Sequence, residues 1–339
     1  MEKLRIAIDA MGGDYAPAYE VAGAILALRE TNNRFQIDLF GDETKLKSEL
    51  KKHNTSGLSI EIHHAESVID MNDSPVAAIK QKSNSSLALA MKSLKDGVTK
   101  AVINAGNTGG TTAAATLILG RIPGVSRPTI AAPLPTKGGT ILLTDVGSVV
   151  DCRAKFLFEF GLMCEIYVEK VFKREKPRIA LLNIGTEEGK GNELTREAYE
   201  KFKKFEKEIN FIGSIEAKDI LNFKSDVIVC DGFVGNSLLK FAEGFVGTLK
   251  ERFKNYKDES FLNKILMVVA QFPLKKVFGD LNYEDVGGVP LLGVNGVVII
   301  GHGRSTPKAI KNMILRGEEA AMQNLPQIIE ETIKRYSNE

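Results

Sequence analysis

The chain has no tryptophan, only four histidines and only three cysteines in 339 residues. Without Trp, and with only seven Tyr, it offers few of the aromatic platforms on which single-stranded nucleic acid stacks. Lys and Arg number 45 against 43 acids, so the excess of positive charge that a nucleic-acid-binding surface needs is also missing. Cys152, Cys164 and Cys230 are odd in number, far apart and in no C-x-x-C pair. That argues against a disulfide framework or a cysteine-built zinc site and fits a reducing cytosol. Long apolar runs are absent too: Ile265–Ala270 spans six residues, where a membrane-spanning helix needs roughly 18. Only three apolar residues separate Arg5 from Asp9, too few for a signal-peptide core, so a cytoplasmic location is expected.

What is present reads as an ordinary globular protein, 43% apolar and 26% charged. Its length suits a large single domain or two lobes with a cleft between them. Short β-branched runs alternate with amphipathic segments of helix length, the pattern of a parallel α/β sheet. Strands are expected at Leu4–Ile8, Phe35–Phe40, Ser59–Ile62, Lys100–Asn104, Thr129–Leu134, Thr140–Leu143, Arg178–Asn183, Asn210–Ile212, Val227–Cys230 and Val297–Ile300. Helices are expected over about 17–30, 43–52, 75–94, 107–119, 151–171, 193–207, 234–255 and 306–334. The fold class is therefore a three-layer α/β/α arrangement around a mostly parallel sheet, in one bilobed domain over 1–339. Residues 234 to about 282 break the rhythm as a helical excursion without a strand. Pro273 should block a helix there and let it restart at Leu274.

Ligands of parallel sheets bind beyond the carboxyl ends of strands, where glycine-rich turns enter helices. Four such turns stand out: Asp9–Asp14 with Gly12 and Gly13; Asn104–Gly110 with Gly106, Asn107, Thr108 and Gly109; Asn183–Asn192 with Gly185 and Lys190; and Asp231–Ser237 with Asn236. Each alone serves equally as a tight strand-to-helix connection. Together, read as lying at one end of one sheet, they suggest a site for phosphate or another oxyanion. Other motifs fail. Gly185–Lys190 has three residues between its glycines, where a P-loop has four. Gly301-His302-Gly303 lacks the third glycine of a dinucleotide fingerprint, and there is no G-x-S-x-G elbow and no paired-histidine metal spacing. His302 follows an apolar strand and precedes Arg304, Ser305, Thr306 and Pro307, so it is either a site group or a histidine bonding its own loop. Lys190, flanked by glycines, is either a ligand or a solvated lysine.

At these turns the sequence resembles the phosphate acyltransferases of the PlsX family. The resemblance runs through Ile8–Asp14 with Ala16-Pro17, Ser85-Ser86-Leu87, Ala105–Gly109, Asp145-Val146-Gly147, Leu181–Gly185 with Glu187 and Lys190-Gly191, Asp231-Gly232-Phe233 with Gly235-Asn236, and His302-Gly303. It covers essentially the whole chain. Two departures stand out: Val149 replaces the family's usual amide residue in Asp145–Asp151, and Arg304 replaces a small polar residue.

The resemblance implies a fold like the isocitrate and isopropylmalate dehydrogenases and the phosphotransacetylases, with a cleft site and a homodimer. It implies no nicotinamide or metal cofactor. The implied reaction transfers the acyl group of acyl-acyl carrier protein to inorganic phosphate for phospholipid synthesis, at the inner membrane face. Lys190, His302 and Asn236 are then the expected catalytic groups, with Lys190 expected to bind phosphate together with the Asn104–Gly109 turn and Asn236 nearby. Asp9, Gly12, Gly13, Asn104, Gly106, Asn107, Thr108, Gly109, Gly185, Asp231, Arg304 and Ser305 are the expected phosphate-binding set. A phosphotransacetylase-like enzyme using acyl-CoA, a metal-dependent 2-hydroxyacid dehydrogenase and a non-enzymatic scaffold are the alternatives. In the excursion, apolar residues at helical spacing flanked by Lys264, Lys275 and Lys276 suit an interfacial helix on anionic lipid. Residues 261–270 are assigned to the subunit contact and 274–281 to lipid.

Overall fold

The computed structural model describes residues 3–70, 72–278 and 286–337. Its strands are β1 (Arg5–Asp9), β2 (Gln36–Gly41), β3 (Ile60–His64), β4 (Ala101–Asn104), β5 (Thr129–Thr136), β6 (Gly139–Thr144), β7 (Ile179–Leu182), β8 (Phe211–Ile215), β9 (Val227–Val229), β10 (Val289–Leu292) and β11 (Val297–Ile300). Its helices are α1 (Ala18–Glu30), α2 (Glu43–Leu50), α3 (Pro75–Gln81), α4 (Ser86–Lys95), α5 (Thr108–Ala114), α6 (Ala154–Lys170), α7 (Glu193–Lys204), α8 (Gly232–Glu259), α9 (Phe261–Phe278), α10 (Pro307–Met322) and α11 (Leu325–Ser337).

The strands form one sheet in the order β3-β2-β1-β4-β11-β10-β5-β6-β9-β7-β8. Side chains alternate across it. Ile6, Ile8, Ile37 and Leu39 face a core shared with α1, α6, α7, α10 and α11. Ala7, Val102, Ile130 and Ile228 face the opposite core with α4. Both faces are covered, which is why the parallel strands read as unbroken apolar runs. The α/β/α class expected from the alternation is the one found.

Four local expectations are corrected. First, β10 is a strand the sequence reading omits, because Pro290 sits inside it. Pro290 pairs with Ile299 of β11, and the ladder to β5 begins only at Leu291, so the missing N–H breaks no bond to β5. Second, the segment 75–94 is two helices, broken at Lys82–Ser85, where Ser85 caps α4 by accepting from the Ala88 N–H. Third, 306–334 is also two, with Asn324 at positive φ (51°) and Pro326 opening α11. Fourth, α9 runs through Pro273 to Phe278, and the break falls instead at Ser260, which is extended. Pro273 and Val269, whose carbonyl loses its partner, are both exposed, so the missing bond costs the helix little. Residues 279–281 of the expected lipid segment lie outside the described residues. No described helix is long and apolar enough to cross a membrane.

Candidate functional site

The expected site residues divide into two groups, because the sheet reverses direction in its middle. β10 is antiparallel to β11 and to β5, and β5 is antiparallel to β6. Three reversals leave β6, β9, β7 and β8 pointing opposite to β1, β4 and β11. The four glycine turns therefore do not share one end of the sheet, as the sequence reading had assumed. Those after β1 and β4 join the His302 loop at one end, and those after β7 and β9 join the loop after β6 at the other.

The first group is sealed. Asn104, 1% exposed at the end of β4, accepts from the Gly106 N–H at 2.8 Å and donates to Thr111 Oγ1 at 2.6 Å. Both ends of its amide are spent on shaping the turn. Gly12 approaches so closely that an added Cβ would meet Asn104 Oδ1, with Asp9 Oδ2 at 3.0 Å and Gly106 Cα at 3.2 Å. Asn107 caps α5 by accepting from the Gly110 N–H at 2.8 Å and reaches the Asp70 carbonyl at 3.2 Å. Thr108 and Gly109 remain exposed beside it.

The His302 loop closes on the same place. Asp14 N–H donates to the Gly303 carbonyl at 2.8 Å, and Arg304 Nε stands 3.9 Å from Asp14 Oδ2. His302 Nδ1 accepts from the Arg304 N–H at 3.2 Å, which leaves the neutral ring's proton on the exposed Nε2 side. Ser305 is buried and donates its N–H to the His302 carbonyl at 2.8 Å, while Thr306 caps α10 through Ala309. Two buried acids lie under these turns. Burial pushes Asp9 up to about 6, the Ser86 side chain and the Met11 N–H acting in the other direction.

The second group is open. Its anchor is Asp145, fully buried after β6, which accepts from Ile130 N–H and Ser148 N–H at 3.1 Å each and from Val149 N–H at 2.6 Å. Burial raises its pKa, and these three donors pull it back. Val149 acts here through its main chain, donating to Asp145 and accepting from the Gly232 N–H at 2.9 Å. Replacing the family's amide side chain at that position leaves these bonds intact. Asp231 caps α8, accepting from Phe233 and Val234 N–H at 3.0 and 2.9 Å. Asn236 lies next to Gly147, whose φ of +129° suits glycine.

The loop after β7 closes on Asn183, which donates to the Lys190 carbonyl at 3.0 Å. Lys190 N–H bonds the Glu187 carbonyl at 3.3 Å, and its side chain runs past Gly185 into solvent. Ile184, Phe233 and Val150 are exposed at 80%, 64% and 59%, one from each of three adjacent strand ends. Sequence reasoning missed Asp145 as an organiser, naming it only within the Asp145-Val146-Gly147 motif of the resemblance. It also missed Glu20, the second buried acid under the first group.

A family model described as fatty acid synthesis protein matches residues 4–328. This chain belongs to the phosphate acyltransferase (PlsX) family. A relative named phosphate acyltransferase from Pelotomaculum thermopropionicum is 46% identical over 98% of this chain and 95% of its own length. Another, from Geobacter sulfurreducens, is 43% identical over 98% and 94%. Among solved structures, a phosphotransacetylase from Streptococcus pyogenes aligns with a TM-score of 0.62 at 16% identity, over 94% of both chains. A 4-hydroxythreonine-4-phosphate dehydrogenase from Klebsiella pneumoniae aligns at 0.50 and 10%, over 96% of this chain and 99% of that one. At such identities these structures speak for the fold, which they share over nearly its whole length. Like its relatives, the family member described here is an acyltransferase.

Proposed function

We propose that the protein transfers the acyl group of an acyl-acyl carrier protein thioester to inorganic phosphate, giving acyl phosphate and the free carrier thiol. The observation that carries this reading is the 46% identity to a named phosphate acyltransferase over 98% of the chain. A phosphate oxygen attacks the thioester carbonyl, the tetrahedral oxyanion collapses, and the thiolate leaves and takes up a proton. Phosphate being the nucleophile, no enzyme nucleophile is needed. The cysteines suit no such role: burial pushes the Cys152 and Cys164 thiols up to about 12 and raises Cys230 as well.

Phosphate is assigned to the first group, at the Gly12–Gly13 and Asn107–Gly109 turns beside the cation of Arg304. His302 Nε2–H is assigned to donate to phosphate or to the leaving thiolate. Lys190 and Asn236, in the second group at the other end of the sheet, stand apart from this phosphate, and with Ile184 and Phe233 they are assigned to the part of the acyl donor remote from the reacting carbonyl. Orientation of the two substrates and stabilisation of the oxyanion carry the catalysis.

The helices α8 and α9 are assigned to the homodimer and to peripheral contact with anionic lipid on the cytoplasmic face. Phe272, Phe261, Val269 and Val268 are exposed at 83%, 79%, 69% and 65%, more apolar surface than a solvated helix carries. Liposome flotation tests this: a Val277→Glu, Phe278→Glu double variant that stays a folded dimer should float less than the parent, and equal flotation removes 274–281 from the lipid contact.

The reaction itself is tested by measuring free thiol released from acyl-acyl carrier protein with and without phosphate. Release that requires phosphate supports the reading. Release without phosphate makes the protein a thioesterase, and a preference for acyl-CoA moves it to phosphotransacetylase chemistry.

A further inference from the structure

Glu20 stands in the first turn of α1 and has no part in the reaction as assigned above. It is 2% exposed, and its Oε2 is enclosed without a hydrogen-bond partner. Its Oε1 packs against Gly13 so closely that a Cβ on that residue would collide with it. The next residue, Asp14, is tied through its N–H to Gly303 at 2.8 Å, so the turn resting on Glu20 is joined to the His302 loop.

The charges around Glu20 are mostly of its own sign. Asp9 from β1 and Asp14 from the turn both disfavour its ionised form. Arg304, at the head of α10, faces Asp14 at 3.9 Å instead, and Lys311 further along α10 is engaged with Glu30 at 2.6 Å. Among the described residues, no cation stands within ion-pair distance of Glu20. A buried acid with an unpartnered oxygen and two acidic neighbours is most stable as the neutral acid.

We propose that Glu20 is a positioning residue for phosphate: it supports the Gly12–Gly13–Asp14 turn as a neutral carboxylic acid, and its ionisation weakens phosphate binding. The proposal rests on the assignment of phosphate to this turn. An arriving phosphate adds negative charge beside three carboxyl groups, so binding favours the protonated form and is linked to proton uptake at Glu20. Burial foremost, partly offset by the N–H groups of Gly13 and of Glu20 itself and reinforced by Asp9 and Asp14, pushes this carboxyl up to about 7. One pH unit above that, about a tenth of the molecules hold the competent form, and the apparent phosphate affinity falls about tenfold.

The experiment compares phosphate KM and kcat for the parent and Glu20→Gln between pH 6 and pH 8. The ratio of the two cancels the ionisation of phosphate itself. The expected result is a parental phosphate KM that rises about tenfold relative to the Gln variant over this range. The KM for the acyl donor and the kcat should not separate the two proteins. Identical profiles in two folded proteins overturn the proposal.

Should the Gln variant fold poorly, calorimetric binding of sulfate to the parent near pH 7, in two buffers of different ionisation enthalpy, replaces it. Proton uptake is expected, and its absence overturns the proposal. Gly12→Ala separates the two levels of the argument. Its methyl meets Asn104 Oδ1, so it should raise phosphate KM at every pH. A parental KM in that variant moves phosphate away from this turn and overturns both the assignment and the role of Glu20.

Discussion

The two loop groups use the same residue types in opposite ways. Around Asp9, Glu20 and Asn104 the polar side chains are buried, and most bond the turn they belong to. Around Lys190 and Phe233 the anchoring acid Asp145 is buried, but the side chains left at the rim are exposed. A sealed group fixes main-chain N–H groups in place for a small anion, whereas an open rim accommodates a large, flexible substrate. The difference predicts where stability and activity are coupled and where they are separable.

The largest effect concerns pH and the sealed group. The folded pKa of Glu20, about 7, lies above its ordinary 4.5. Its contribution is fully present below about 4.5 and is lost as pH rises toward 7, because the unfolded chain ionises first. The stability of Glu20→Gln relative to the parent should therefore rise by on the order of 3 kcal/mol between pH 4 and pH 8. Urea unfolding across that range measures it. A constant difference would mean that Glu20 ionises normally.

The open group has one buried anchor, and disturbing it should come next. Asp145→Asn turns an acceptor of three N–H groups into a group with its own N–H facing one of them, at a cost of about 2 kcal/mol. Asn104→Ala, in the sealed group, orphans the Gly106 N–H and removes the donor to Thr111 Oγ1, whose hydroxyl still bonds the Asn107 carbonyl, for about 1.5 kcal/mol, and it should raise phosphate KM as well. The smallest effect on stability is expected at the open rim. Lys190→Ala should change it by less than about 0.5 kcal/mol, yet lower kcat/KM for the acyl donor at least about tenfold, the scale of one lost charged contact. Equal losses of stability in the last two variants would erase the distinction between the groups.

Much of the fold could be read from the chain. The apolar runs Val227–Val229 and Val297–Ile300 announce covered parallel strands, and both are fully buried. What stayed hidden was direction. The reversal depends on β10, whose Pro290 disguises it, so loops at opposite ends of the sheet read as one constellation. Helix breaks were misplaced for a related reason: proline signals a break only where its missing bond costs something, and exposed Pro273 costs α9 little. At the site, the glycine turns were legible because close approach excludes every other residue, as at Gly12. Asp145 and Glu20 were not, because an acid's burial is decided by distant partners. A signal for Glu20 did exist: it falls on the same stripe of α1 as Ala24 and Leu28, the face that the helix buries.

The central claim, direct attack of phosphate on a carrier-bound thioester, is tested most directly with phosphate labelled in all its oxygens with ¹⁸O. Acyl-acyl carrier protein and the labelled phosphate should give acyl phosphate whose bridging oxygen carries the label, in step with release of carrier thiol. Thiol release that yields unlabelled fatty acid, or that proceeds equally without phosphate, would contradict it.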